Sequence, residues 1–220
     1  MQKLRLFVIE SLSPLDMLEG RTEGVALEKI CKIMGHDVAL LDAHSSNDLY
    51  KYCDYISTID RVSHIQHPLC VHLAAHGNGD GMQFGKDFVN WASLFDALEP
   101  IIKGMNDYNG AVYLSISACG AGQQRIANII QSEMRSSAKY RDDYIPPEYI
   151  FVTKGSGNLD VTMWDDSAVS WTLFYHRLAK LRHPVREGAV RLLLNDIEKA
   201  TNTILCSFRW NDDLRVYERY

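Results

Sequence analysis

Five short apolar runs constrain this chain more than any other feature: LRLFVIE (4–10), DVALLDA (37–43), LCVHLAA (69–75), GAVYLSISA (110–118) and YIFVTK (149–154). Each reads as a β-strand, and stretches of helical spacing separate most of them. EGRTEGVALEKICKIMG (19–35) ends at Gly35, a residue suited to the left-handed turn after a helix. SNDLYKYCDYISTID (46–60) offers Ser46 or Asn47 as its N-cap, and QQRIANIIQSEMRSSA (123–138) follows the fourth strand. Two further helices, 165–181 and 185–205, are expected to close the chain. Strands alternating with helices predict βαβ units and a mostly parallel sheet flanked by helices, an α/β fold. No internal repeat, low-complexity tract or linker interrupts residues 1–220, so a single domain is expected. In such sheets, sites lie beyond the carboxyl ends of the strands, near a switch in strand order.

Composition narrows the function. Hydrophobic residues make up 46% of the chain and charged ones 23%, enough for a continuous core. The net charge of −5 and sequence pI near 5.9 provide no basic face for nucleic acid. Cysteines at 31, 53, 70, 119 and 206 form no CxxC pair, and their odd count suits a reducing, cytoplasmic setting. The opening MQKLRLFVIE lacks the long apolar core and cleavage site of a signal peptide. No stretch approaches the roughly 18–20 apolar residues that span a bilayer, so no membrane partner is expected. Cys31, Cys53, Cys70 and Cys206 fall in apolar patterns and read as core filler.

The fifth cysteine differs. In YLSISACGAG (113–122), Cys119 leaves a buried-looking strand, meets Gly120 and Gly122, and precedes a helix. A helix N-terminus there favours the thiolate, the form that attacks. In LAAHGNGDG (73–81), His76 ends the preceding strand and runs straight into Gly77. If those strands are neighbours, imidazole and thiol share one rim, and the imidazole serves as general acid and base. The backbone N–H groups of Gly77 and Cys119 then form the expected oxyanion hole.

HLAAHGNGDGMQFG followed by VYLSISACGAG resembles the caspase-like cysteine peptidases of clan CD, and among them most closely the bacterial CHAT branch. GDGMQFGKDFVNWASLFDALEP (79–100) fits the hairpin and helix that follow His-Gly there. The order of residues 154–196, with Phe174 and Tyr175 as an aromatic-Tyr pair, fits the loop and two helices after the fifth strand. The resemblance spans most of residues 66–200, and the first 65 carry no distinctive motif. Cys119 lies 43 residues after His76, close to the roughly 50 between the two catalytic residues of caspases. The resemblance implies a three-layer caspase-like fold with His76 as catalytic histidine, Cys119 as nucleophile and Gly77 as oxyanion donor. It implies no cofactor, a protein substrate, and an activity held under control by a protein partner, possible roles being antiviral defence or regulated cell death. Metacaspases carry an acidic residue two before the cysteine, where this chain has Ser117; caspases carry an arginine after it, where this chain has Gly120–Gly122. Specificity is therefore open. Ser117, Asp160, Trp164, Asp165 and Asp166 are the expected substrate-binding residues. The acidic ones favour Lys or Arg before the scissile bond, while Asp165 or Asp166 can equally cap a helix and Trp164 can floor an apolar pocket.

Other readings compete. His64, His67, Cys70, His72 and His76 have zinc-ligand chemistry. A strand separates His72 from His76 by roughly 13 Å, so no metal site is expected and His72 reads as a packed or hydrogen-bonded strand residue. GNGDG (77–81) lacks the Lys-Ser/Thr of a phosphate loop and reads as a hairpin turn with Asp80 in it. YRDDYIPPEY (140–149) is the most loop-like stretch and the expected processing or activation segment. The alternative function is a catalytically silent caspase-like interaction module; a hydrolase of small amides, which requires a deep enclosed pocket, stands third.

Overall fold

The computed structural model describes residues 1–58, 67–102, 110–123, 125–136, 146–155, 161–181 and 185–219. Residues 140–145 of the expected activation segment lie outside this set, as do Asp160 and His64.

Seven strands form one sheet in the order β10-β9-β8-β7-β3-β1-β2. Strands β1 (Arg5–Ser11), β2 (Asp37–Asp42), β3 (Leu69–Ala75), β7 (Val112–Ser117) and β8 (Tyr149–Lys154) are mutually parallel. The remaining two, β9 (Ile204–Asn211) and β10 (Val216–Arg219), add antiparallel at one edge. A separate three-stranded hairpin sheet, β4 (Gly77–Asn78), β5 (Gly81–Phe84) and β6 (Asp87–Asn90), rises directly from the end of β3. Its first turn holds Asp80, which is exposed.

Side-chain alternation with period two builds one core on each face of the sheet. Phe7 and Ile9 of β1, Leu73 of β3 and Ile116 of β7 pack with α3 (Ser46–Thr58), α4 (Trp91–Ile102) and α5 (Arg125–Ser136). Leu6 and Val8, Cys70, Tyr113 and Phe151 point the other way, onto α2 (Glu23–Ile33), α6 (Trp164–Leu178) and α7 (Glu187–Thr201). On that second face Trp171, Phe174 and Tyr175 are buried among Phe151 and His72, with Phe174 edge-on to Phe151 at 4.6 Å. Burying such side chains contributes roughly 1.5–3 kcal/mol each.

Three departures from the sequence reading have local causes. The helix expected over 19–35 spans only Glu23–Ile33, and a separate short helix precedes it. Ser13 caps a six-residue α1 (Pro14–Glu19) with Pro14 in its first turn, Gly20 ends it at φ 68°, and Thr22 caps α2. The helix expected to run to 205 stops at Thr201, because Asn202 takes a left-handed conformation (φ 57°). ILCSFRWN then enters the sheet as β9, so the chain closes on a hairpin rather than a helix. Finally, the caps expected from Asp165 or Asp166 are absent: Met163 occupies the N-cap of α6 without a side-chain hydrogen bond, and both aspartates lie in the first turn. Their charge still suits the positive end of the helix.

Candidate active site

Strand β1 is joined through α2 to β2 on one side, and β3 lies on its other side, so the switch in strand order falls between β1 and β3. Both β1 and β3 discharge their carboxyl ends there, beside the end of β7. The register pairs Ala74 with Ser117. His76 follows the last residue of β3 by one position and Cys119 the last residue of β7 by two, so both lie at the carboxyl ends of adjacent strands. The loops confirm the approach: a Cβ on Gly77 would sit 2.9 Å from the Ala118 Cβ and from the Cys119 carbonyl oxygen. Gly120, at φ 76°, presses so closely on the hairpin that a Cβ there would fall 2.2 Å from the Asn78 carbonyl carbon. His76, Cys119, Ser117, Trp164 and Asp165 all line one cavity of about 640 Å³. Asp166, expected beside them, does not line it.

Cys119 is partly exposed, whereas the other four cysteines are buried. Burial pushes the Cys31 and Cys53 thiols up to about 12 and raises that of Cys70 as well. The helix expected to begin beside Cys119 is displaced: a single 3₁₀ turn (Ala121–Gln123) intervenes, and α5 starts at Arg125. The start of α5 thus lies six residues past Cys119, whereas a helix dipole acts within about one turn.

The histidine is held from two sides. Its Nε2 lies 2.7 Å from Asp16 Oδ2, and the Trp164 ring meets it edge-on at 5.7 Å. The His76 side chain is 48% exposed, that of Asp16 only 3%. Desolvation acts to raise the Asp16 carboxyl, but hydrogen bonds from Ser13 and His76 outweigh it, and the group stays below the usual carboxylate range. Ser13 Oγ and N–H donate to the same Oδ2 at 2.5 and 2.9 Å, closing a capping box. Sequence reasoning missed Asp16 altogether. The available signal was the S-x-x-D spacing of Ser13 and Asp16, which marks a helix start but not a site.

Beneath the rim lies a buried polar network on the α2/α6 face. His72 Nε2 is 2.7 Å from Glu23 Oε1, its Nδ1 is 3.0 Å from the Tyr175 hydroxyl, and Ser117 Oγ donates to Glu23 Oε2 at 2.9 Å. Ser117 and Ser167 hydroxyls are 2.8 Å apart. His72 is thus the hydrogen-bonded strand residue its sequence suggests. Ser117 borders the cavity with its hydroxyl already engaged by a carboxyl group that α2 supplies.

One feature of the hairpin bears on anion binding. Gln83 N–H donates to the His76 carbonyl at 2.8 Å, which makes Gly77–Met82 a non-hydrogen-bonded pair. The ladder leaves the Gly77 N–H unused.

No protein-family model matches this chain, and no curated protein matches it. Solved structures do. Caspase-1 from Spodoptera frugiperda aligns over 90% of this chain and 76% of its own, at 14% identity and a TM-score of 0.55. The fold is caspase-like. A pro-sf-caspase-1 structure aligns over 90% and 80% of the two chains at 13% identity and a TM-score of 0.48. Among the described residues, no helix is long and apolar enough to cross a membrane.

Proposed function

We propose that this protein is a cysteine endopeptidase in which His76 and Cys119 form the catalytic dyad. The observation carrying the reading is that His76 and Cys119, just past the ends of the adjacent strands β3 and β7, line one cavity. The Cys119 thiolate attacks the peptide carbonyl carbon, forming a C–S bond as the carbonyl π electrons move onto oxygen. The N–H groups of Gly77 and Cys119 receive that oxyanion. As the intermediate collapses, the C–N bond breaks and the His76 imidazolium protonates the departing amine. Water, giving its proton to His76, then attacks the thioester and releases the acid and the thiolate. The cycle consumes one water per bond cleaved and uses no cofactor.

The substrate is a protein, with Lys or Arg before the scissile bond. Supporting this, Asp165 stands exposed on the cavity wall, while the cavity's one arginine, Arg21, lies 2.6 Å from Glu19. Exposed Val161 and Met163 give the rim an apolar strip for neighbouring substrate residues. The CHAT-branch assignment, the control by a protein partner and the role in defence or cell death follow what the resemblance implies, the cytoplasmic location follows the odd cysteine count, and residues 140–149 are the proposed activation segment.

A peptidyl acyloxymethyl ketone panel varied at the residue next to the warhead tests this reading. Wild type is expected to gain one adduct on Cys119, fastest with Lys or Arg, and His76→Ala to gain none. Equal labelling of both proteins, or labelling of neither, points instead to a silent interaction module.

A further inference from the structure

The dyad has a neighbour that its own reading does not use. Asp16 comes from α1, sixty residues before His76 in sequence, yet its Oδ2 lies 2.7 Å from His76 Nε2. Three features make this a built contact rather than a chance surface pair. The Asp16 side chain is 3% exposed, so its charge is withdrawn from water. Its position is fixed by two hydrogen bonds from Ser13 on the same oxygen. And α1 itself is pinned at both ends, by the Ser13 cap with Pro14 and by the left-handed Gly20. A six-residue helix contributes little core: of its residues, Asp16 alone is buried. The helix instead delivers a carboxylate to the strand-order switch.

Chemically, a carboxylate on Nε2 fixes which imidazole nitrogen carries the proton. An Nε2–H bonded to Asp16 leaves Nδ1 as the nitrogen that exchanges a proton with the thiol and the leaving amine. The same carboxylate stabilises the imidazolium formed when the thiol ionises. Trp164 meets the same ring edge-on at 5.7 Å. The other titratable groups bordering this space are Arg21 and Glu23 at the start of α2, Asp165 on α6 and Cys119 itself. None of the first three has a hydrogen bond to His76 among the described residues.

We infer that Asp16 is a positioning residue for His76, holding the imidazole of the His76–Cys119 dyad in one tautomer and orientation. The inference rests on the peptidase reading for its biological use, but its test need not.

The experiment measures the iodoacetamide alkylation rate of Cys119 from pH 5.5 to 9.5 by mass spectrometry, in wild type, Asp16→Asn, Ser13→Ala, His76→Ala and the His76→Ala/Asp16→Asn double variant. Asp16→Asn keeps the shape and one acceptor but removes the charge. Its alkylation is expected to be about tenfold slower than wild type near pH 6.5. The two rates are expected to converge above pH 9, beyond the ordinary range of a thiol. In the His76→Ala background the Asp16 change is expected to have no further effect, because Asp16 acts through the imidazole. Ser13→Ala loosens the cap while keeping the charge and is expected to stay within threefold of wild type. Where a peptide substrate is cleaved, kcat falls for Asp16→Asn while KM holds. Identical wild-type and Asp16→Asn profiles overturn the inference, as does a slowing that is equal at every pH or persists in the His76→Ala background. Absent peptide turnover with the Asp16 effect on alkylation intact would sink the peptidase reading and leave this inference standing.

Discussion

Replacing Glu23 by alanine removes the centre of the buried network, and the cost can be worked from its partners. The Glu23 side chain is fully buried, as is that of His72. Without it, His72 Nε2 loses its one hydrogen-bond partner among the described residues while Nδ1 keeps Tyr175. An orphaned buried polar nitrogen costs about 1–3 kcal/mol. Ser117 loses its bond to Oε2 but keeps Ser167, so its loss is nearer the ordinary net worth of a hydrogen bond, about 1 kcal/mol. Glu23→Ala is therefore expected to cost roughly 3 kcal/mol, lowering Tm by about 6–12 °C for a chain of this size. Glu23→Gln keeps the volume; its amide oxygen accepts from one partner and its NH₂ donates to the Ser117 hydroxyl, so about 1 kcal/mol is expected. Urea unfolding followed by tryptophan fluorescence reads both, with Trp171 edge-on to His72 at 4.9 Å as a local reporter. Equal losses for the two variants, or a loss under 1 kcal/mol for Glu23→Ala, would refute the network as a stabilising unit.

Glu10 supplies a pH test with a definite sign. Desolvation raises its carboxyl above the ordinary value despite hydrogen bonds from Gly24 and Thr22, with Glu23 adding repulsion. A raised folded value means that its stabilisation is complete below about pH 4 and is lost as pH rises through the folded value. Glu10→Gln is thus expected to gain on wild type between pH 4 and 8 in urea midpoint; a gap independent of pH would contradict this. Gly120→Ala forces a left-handed conformation on alanine and drives its Cβ into the Asn78 backbone. Strain of about 1–3 kcal/mol and at least a tenfold slower Cys119 alkylation are expected, with wild-type circular dichroism retained. Unchanged alkylation would mean that the loops do not set the dyad. Tyr175→Phe removes the hydroxyl from His72 Nδ1 and is expected to cost about 1–2 kcal/mol by the same unfolding assay.

The parallel strands were legible because each is a compact apolar run ended by a turn signal. The runs 69–75 and 149–154 match β3 and β8 residue for residue. The placement of His76, Gly77 and Cys119 just past strand ends was legible for the same reason. What the chain hid has three physical sources. The six residues of α1 are too few to show helical periodicity, so the carboxylate it carries had no visible destination. ILCSFRWN follows a strong helical pattern with Asn202 as the sole stop, and its partner β8 lies fifty residues upstream in sequence. Glu23 carried no signal of its own, because nothing local says that His72 and Ser117, far along the chain, will bond to it. The first 65 residues, without a motif of their own, supply the carboxyl groups of Asp16, bonded to His76, and of Glu23, bonded to His72 and Ser117.

The most direct test of the central claim is hydrolysis of a peptide library randomised around the scissile bond, with products sequenced by mass spectrometry for wild type and Cys119→Ala side by side. The account predicts discrete cleavage by wild type, with Lys or Arg preceding the cut, and none by Cys119→Ala. Cleavage that survives in Cys119→Ala, or no cleavage by a wild-type protein whose Cys119 reacts no faster than its four buried cysteines, would contradict it.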